Sequence, residues 1–377
     1  MAGIYIHIPF CRKKCVYCDF YSIGELFGTK RYTDALLKEI YLQNNFLGTK
    51  DSHIETIYLG GGTPSLLSID SLDQIIKAIG SSYSIAQGTE ITMEVNPDDT
   101  SLEYLKGLRD IGINRLSIGV QSFSDIDLKF LGRRHGASSA INSVKMAQEA
   151  GFSNISIDLI YGIPSSSKAI WEQNLKTAFS LKIQHLSCYH LTIEPKTPLY
   201  LKWKKGQVNP VAEELSEDQF QMLRDYASEN GFDHYEVSNL CLPGFESKHN
   251  TAYWNGVPYL GLGPSAHSFN GLSRSWNPSS LKIWFQNVES GVISAETEVL
   301  SEIDKVNEYI MVSFRTRWGI DLKVLDRIFG ASQLERILKI ANKHINAGIM
   351  QQEGEKIRIN PNHFFISDSI ILDFIEV

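Results

Sequence analysis

Three of the five cysteines in this 377-residue chain, Cys11, Cys15 and Cys18, fall within eight positions of one another. Closely spaced thiolates suit a soft metal ion or an iron–sulfur cluster. Three of them can hold three corners of a [4Fe–4S] cubane and leave the fourth iron open to a small molecule. A zinc ion with a more distant fourth ligand is the rival reading, and a free or disulfide-forming group is the plain one. Cys188 and Cys241 show no metal-ligand spacing, and Cys188 reads as a buried thiol in a strand.

Other residues could do chemistry beside them. Gly60-Gly61-Gly62-Thr63-Pro64 follows an apolar run, so it is either a tight turn or a loop that lets a ligand approach the backbone. It lacks a dinucleotide fingerprint. Glu94, in EVNP, stands where a strand should end; its carboxylate can accept hydrogen bonds from a ligand or simply cap the next turn. Gln121 follows RLSIGV. Arg133 and Arg134 in LGRRH compete as a clamp for a carboxylate. Asp158 lies within the apolar SIDLIYGIP, where a buried carboxylate needs partners. In His249-Asn250-Thr251-Ala252-Tyr253-Trp254 the imidazole can ligate haem iron and Tyr253 and Trp254 offer flat surface to a porphyrin; loop packing is the plain alternative. Tyr253, Cys241 and other histidines stay open as iron ligands.

CRKKCVYC resembles the C-x₃-C-x₂-C motif of the radical S-adenosylmethionine (SAM) enzymes. The longer stretch YIHIPFCRKKCVYCDF is similar to the oxygen-independent coproporphyrinogen III oxidase group, and Phe20, where the oxidases carry a further cysteine, favours its haem-chaperone branch. The resemblance spans nearly the whole chain and is strongest from Tyr5 to Asp158. It implies that Cys11, Cys15 and Cys18 ligate a [4Fe–4S] cluster whose fourth iron takes the amino and carboxylate groups of SAM. Residues matching SAM-binding positions are Tyr5, Tyr17, the GGTP turn with Gly61, Gly62 and Thr63, and Glu94, Gln121, Arg133 and Asp158. HNTAYW matches the HNxxYW motif of the haem-chaperone branch and implies haem association through His249, Tyr253 and Trp254. The segment from Gly261 to Ser268 is family-like too and is expected to shape the pocket. The implied function is a haem chaperone delivering to respiratory haem proteins, with a flavodoxin- or ferredoxin-type reductant. The alternative is oxidative decarboxylation of coproporphyrinogen III; a zinc scaffold is a third reading.

Composition narrows the field. Hydrophobic residues make up 43% and charged residues 21%, the balance of an ordinary globular protein. A net charge of −7, with 10 Lys and Arg against 11 Asp and Glu from Leu300 onward, argues against nucleic acid. No run of about 18 apolar residues is present, so no spanning helix is expected, although peripheral membrane contact stays open. No signal peptide is read at the N-terminus, and unpaired cysteines suggest a reducing, cytoplasmic setting.

Stepping from motifs to the elements that hold them, the first 190 or so residues alternate apolar strands with amphipathic helices in about six βα units. That pattern predicts an α/β fold, either a parallel barrel or an open sheet; the resemblance implies a partial (β/α)₆ barrel with a smaller, mainly helical C-terminal domain. The expected domains are 1–240 for the barrel, 241–290 for a connecting region with HNxxYW, and 291–377 for the C-terminal part. Lys202-Trp203-Lys204-Lys205 is expected to be a basic loop. A helix is expected from Ser216, capped by that serine. Lys356–Asn360 and Phe364–Ile366 are expected to form a hairpin.

Overall fold

The computed structural model describes residues 1–24, 28–48 and 53–376. Six strands, β1 (Ala2–Ile8), β2 (His53–Gly61), β3 (Ser84–Val95), β4 (Arg115–Gln121), β5 (Ile155–Tyr161) and β6 (His185–His190), pair in parallel in chain order. They read as nearly continuous apolar runs because parallel strands are covered on both faces. Helices over Thr29–Leu42, Ile69–Ser82, Leu102–Asp110, Ala137–Glu149 and Lys168–Ser180 make the crossovers. Ser68, Ser101 and Ser167 cap three of these by accepting a backbone N–H, which sets where each helix begins.

The sheet goes on at both ends. Beyond β6 come β8 (Asn239–Cys241) and β7 (Asp233–Glu236), both antiparallel. On the other side β1 pairs in parallel with β9 (Tyr259–Leu262), followed by antiparallel β10 (His267–Phe269), β11 (Ser273–Trp276) and β12 (Glu296–Val299). The twelve strands form an open sheet, so the barrel is partial, as expected. The Gly- and Pro-rich stretch from Cys241 to Pro278 is therefore built, holding a helix over Lys248–Trp254 and three strands.

The period-2 alternation of strands decides which side chains face the concave side. Ile4, Ile6 and Ile8 of β1 are fully buried in the core, whereas Tyr5 and His7 line a cavity. Register carries that parity across the sheet: Tyr5 pairs with Tyr58, Glu94 with Ser117, and Asp158 with Ser187. Polar residues that interrupt each apolar run thus gather on one surface.

The C-terminal part packs helices Glu302–Phe314, Leu322–Phe329 and Ala331–Asn346 beside a small sheet of β13 (Ile320–Asp321), β15 (Lys356–Ile359) and β14 (Met350–Glu353). Three expectations fail in the second half of the chain. The partner of Lys356–Ile359 is Met350–Glu353, turned by Gly354 at φ 57°, while Phe364–Ile366 lies in a 3₁₀ turn. The helix expected from Ser216 begins at Glu213; Ser216 is buried inside it and its hydroxyl bonds His190 Nε2 at 2.9 Å. The basic knob is also helical, over Pro198–Lys204, with Thr197 as its cap and proline in its first turn.

Candidate functional site

At the C-terminal end of β1 the chain leaves through Pro9 into the cysteine loop. The loop is pinned at several points. Cys11 N–H donates to Ile23 O at 2.9 Å, Val16 N–H to Leu131 O at 3.2 Å, and Leu199 N–H to Val16 O at 2.8 Å. Against it lies the glycine turn. Gly62 N–H donates to Ile8 O at 2.8 Å, and a Cβ at Gly62 would stand 2.6 Å from Phe10 O and 2.8 Å from Ile8 O. Only glycine fits where two backbones approach so closely.

Cys11, Cys15 and Cys18 are all free thiols, half-buried, and line one cavity of about 400 Å³. Thr63 Oγ1 donates to Cys11 Sγ at 3.5 Å and Arg133 Nη1 to Cys15 Sγ at 3.4 Å. Burial pushes the Cys18 thiol up to about 11. Among the described residues no three Cys, His, Asp or Glu side chains close on one point as a single ion requires.

The same cavity takes Tyr17, Gly61, Gly62, Thr63, Glu94, Gln121, Arg133 and Asp158, so all but one of the residues expected to bind SAM meet there. Arg133 is turned inward, donating to Asn96 Oδ1 and Gly119 O, both at 2.6 Å; the exposed Arg134 pairs with Asp99 at 2.7 Å. Both arginines line the cavity, and Arg133 is the one whose guanidinium lies against the cysteine loop. Gln121 ends β4 at φ 68°, a left-handed backbone uncommon outside glycine and of the kind held at functional sites. Glu94 accepts from Tyr58 OH at 2.9 Å and from Gly61 N–H at 3.2 Å. Burial, with Asp158 close by, raises its pKa to about 7; burial raises that of Asp158 to about 6, against a hydrogen bond from Ser117 Oγ at 3.1 Å. Two buried carboxylates in one pocket without a full cationic partner favour a positively charged guest.

A second cavity of about 480 Å³ adjoins the first and shares Phe20, Tyr58, Glu94 and Tyr189 with it. Tyr5, the remaining residue of the SAM set, faces this second space, as do His249 and Tyr253. His249 is buried, bonded through Nδ1 to Thr56 Oγ1 and through Nε2 to Tyr253 OH, both at 2.8 Å, and stacked on Tyr58 at 5.1 Å. Burial lowers its pKa to about 3. With both ring nitrogens engaged, it offers no lone pair to iron in this arrangement. Trp254 lines neither cavity, and its indole nitrogen is buried without a partner. Sequence reasoning passed over Tyr58 and Arg115. Arg115 is buried on the first cavity's wall with Nε unpaired; the one signal was a charge opening an apolar strand.

A parallel βα sheet with three thiols after its first strand and a glycine turn after its second defines a radical SAM protein. The sequence profile of the Radical SAM superfamily matches residues 5–178. Proteins named heme chaperone HemW are similar over most of their length: that of Lactococcus lactis is 31% identical, covering 98% of this chain and 96% of its own. That of Bacillus subtilis is 35% identical over 88% of each. The coproporphyrinogen III oxidase HemN of Escherichia coli, a radical SAM enzyme, shares the fold with a TM-score of 0.84 at 23% identity, over 99% of this chain and 89% of its own. The chain belongs to the radical SAM superfamily and, within it, to the HemW family. Membership implies a [4Fe–4S] cluster and SAM. No helix among the described residues is long and apolar enough to cross a membrane.

Proposed function

We propose that this protein is a haem chaperone: it holds haem in the second cavity, beside a SAM-liganded [4Fe–4S] cluster in the first, and hands it to respiratory haem proteins in the cytoplasm or at the membrane surface. The observation that supports this is the pair of joined cavities, one walled by free thiols and a glycine turn, the other by tyrosines and histidines. Phe20 stands between them and is 62% exposed, so the wall near the cluster is apolar where an oxidase would place another thiol. Exposed ring surface beside a cavity suits a flat apolar cargo that must leave again.

Cys11, Cys15 and Cys18 are the residues that would hold the cluster, which when bound and reduced would be a one-electron donor beside SAM. Gly61, Gly62 and Thr63 bring backbone to SAM, Glu94 and Asp158 complement its positive charge, and Arg133 faces its carboxylate. Gln121 and Tyr17 complete the wall. His249 and Tyr253 act on the second cavity by fixing its floor, with Trp254 packing the helix behind them. Reductant of the flavodoxin or ferredoxin type would dock at the helix Pro198–Lys204. Lys202, Lys204 and the following Lys205 are exposed there, Trp203 and Leu201 present apolar surface, and Leu199 is tied to the cysteine loop.

The test is anaerobic reconstitution followed by parallel haem titration and incubation with coproporphyrinogen III, SAM and a flavodoxin-type reductant. Saturable haem uptake without protoporphyrinogen is expected. Protoporphyrinogen formation, or no haem uptake, overturns the reading.

A further inference from the structure

Three histidines face the second cavity, His7, His249 and His267. Two are committed. His7 Nε2 donates to Tyr21 O at 2.8 Å, which leaves Nδ1 to accept from Tyr5 OH at 3.1 Å. His249 is held at both nitrogens by Thr56 and Tyr253. Both rings are buried, at 4% and 1% exposure, and freeing a nitrogen leaves a hydroxyl, or for His7 Nε2 the Tyr21 carbonyl, without its partner. Three of the six tyrosines that line the cavity are bound up likewise: Tyr5 with His7, Tyr58 with Glu94 and Tyr253 with His249.

His267 differs. It is exposed, and among the described residues no side-chain hydrogen bond holds its ring. Its cross-strand partner Trp276 stacks on it at 6.0 Å and 29°, which fixes the ring plane while leaving both nitrogens open. The chain goes to some length to place it. Gly263 at φ 91° and Ser265 at φ 65° reverse the chain after β9, and a Cβ at Gly261 would lie 2.0 Å from His267 O. Gly261, Gly263 and Ser265 thus position His267 at the mouth.

Resting on the haem-chaperone reading, we infer that His267, and not His249 of the HNTAYW segment, supplies the protein's imidazole to haem iron in the second cavity. Neutral imidazole is a haem ligand. A ligand at the mouth, outside the hydrogen-bonded floor, can be exchanged for a client's own ligand without unfolding anything. Partial burial and the neighbouring Arg274 lower the His267 pKa, in the direction that favours the neutral ring.

The experiment is an anaerobic haemin titration of the full-length, cluster-loaded protein, read by Soret absorption and by magnetic circular dichroism of the haem. Wild type, His267→Ala, His267→Cys and His249→Ala are compared. Wild type should give an imidazole-ligated spectrum. His267→Ala should lose it and weaken binding at least about tenfold, with recovery on adding free imidazole. His267→Cys should convert the spectrum to a thiolate type, which a merely structural role would not do. His249→Ala should keep the imidazole signature while melting earlier. An unchanged wild-type spectrum in both His267 variants, or its loss in His249→Ala alone, overturns the assignment. Wild type that takes up no haem overturns the chaperone reading itself, and this assignment with it.

Discussion

The cysteine end and the histidine end of the concave face are built from similar residue types and treat them in opposite ways. In the first cavity polar groups are left wanting: three thiols are free, Glu94 and Asp158 are buried with raised pKa values, and Arg115 has an unpaired Nε. In the second most of them answer one another, as the Tyr5–His7–Tyr21 and Thr56–His249–Tyr253 chains show, and His267 at the mouth is the exception. An unsatisfied polar pocket gains much from a charged guest, whereas a satisfied one presents mainly shape and ring surface. The first therefore suits a cofactor that stays, and the second a cargo that goes.

The comparison breaks most sharply at a cysteine. Cys15→Ala should abolish the cluster, seen as loss of iron, sulfide and visible absorption after anaerobic reconstitution, while leaving the apo-protein's melting temperature little changed. If the second cavity is a self-satisfied scaffold, His249→Ala should do the reverse. It strands Thr56 and Tyr253 and should destabilise the apo-protein by about 2–3 kcal/mol in urea melts, with iron content kept.

Glu94 sharpens the contrast through pH. Its pKa in the fold, about 7, lies above the ordinary carboxyl value of about 4.3. The folded apo-protein therefore binds a proton that the unfolded chain has released, and Glu94's contribution to stability falls as pH rises from 4.3 through 7. SAM is cationic at its sulfonium and prefers the ionised carboxylate, so its affinity should climb between pH 6 and 8. Glu94→Gln should flatten that slope and weaken SAM about tenfold at pH 8, or about 1.4 kcal/mol, measured by equilibrium dialysis. A slope that survives the substitution removes Glu94 from this role. The smallest effect is expected outside both cavities. Lys202→Glu with Lys204→Glu should slow cluster reduction by a flavodoxin several-fold at low salt and leave reduction by dithionite unchanged; equal rates with both reductants would detach this helix from the electron path.

How much of this was legible from residues alone varies along the chain. From Tyr5 to Asp158 long strands, serine caps and a glycine turn state their structure locally, and the radical SAM resemblance rests on them. Past Cys241 the strands run three or four residues, too short for a period-2 pattern to show. Ser216 looked like a cap because hydroxyls commonly are; His190, distant in sequence, claimed it instead. Thr197-Pro198 is the local signal of the helix carrying the basic residues, a hydroxyl cap followed by a proline in the first turn. The HNTAYW motif was visible, yet nothing in it tells that Thr56 and Tyr253 occupy the histidine's two nitrogens. That depends on β2 lying beneath the Lys248–Trp254 helix, a fact of topology.

The placement of β1 has a consequence for folding. The strand sits mid-sheet, with Tyr5 opposite both Tyr58 and Gly261, 53 and 256 residues away along the chain. Such distant parallel pairings form slowly, so the edge that β9 covers closes after the one that β2 covers, and until then β1 presents a bare row of backbone donors and acceptors.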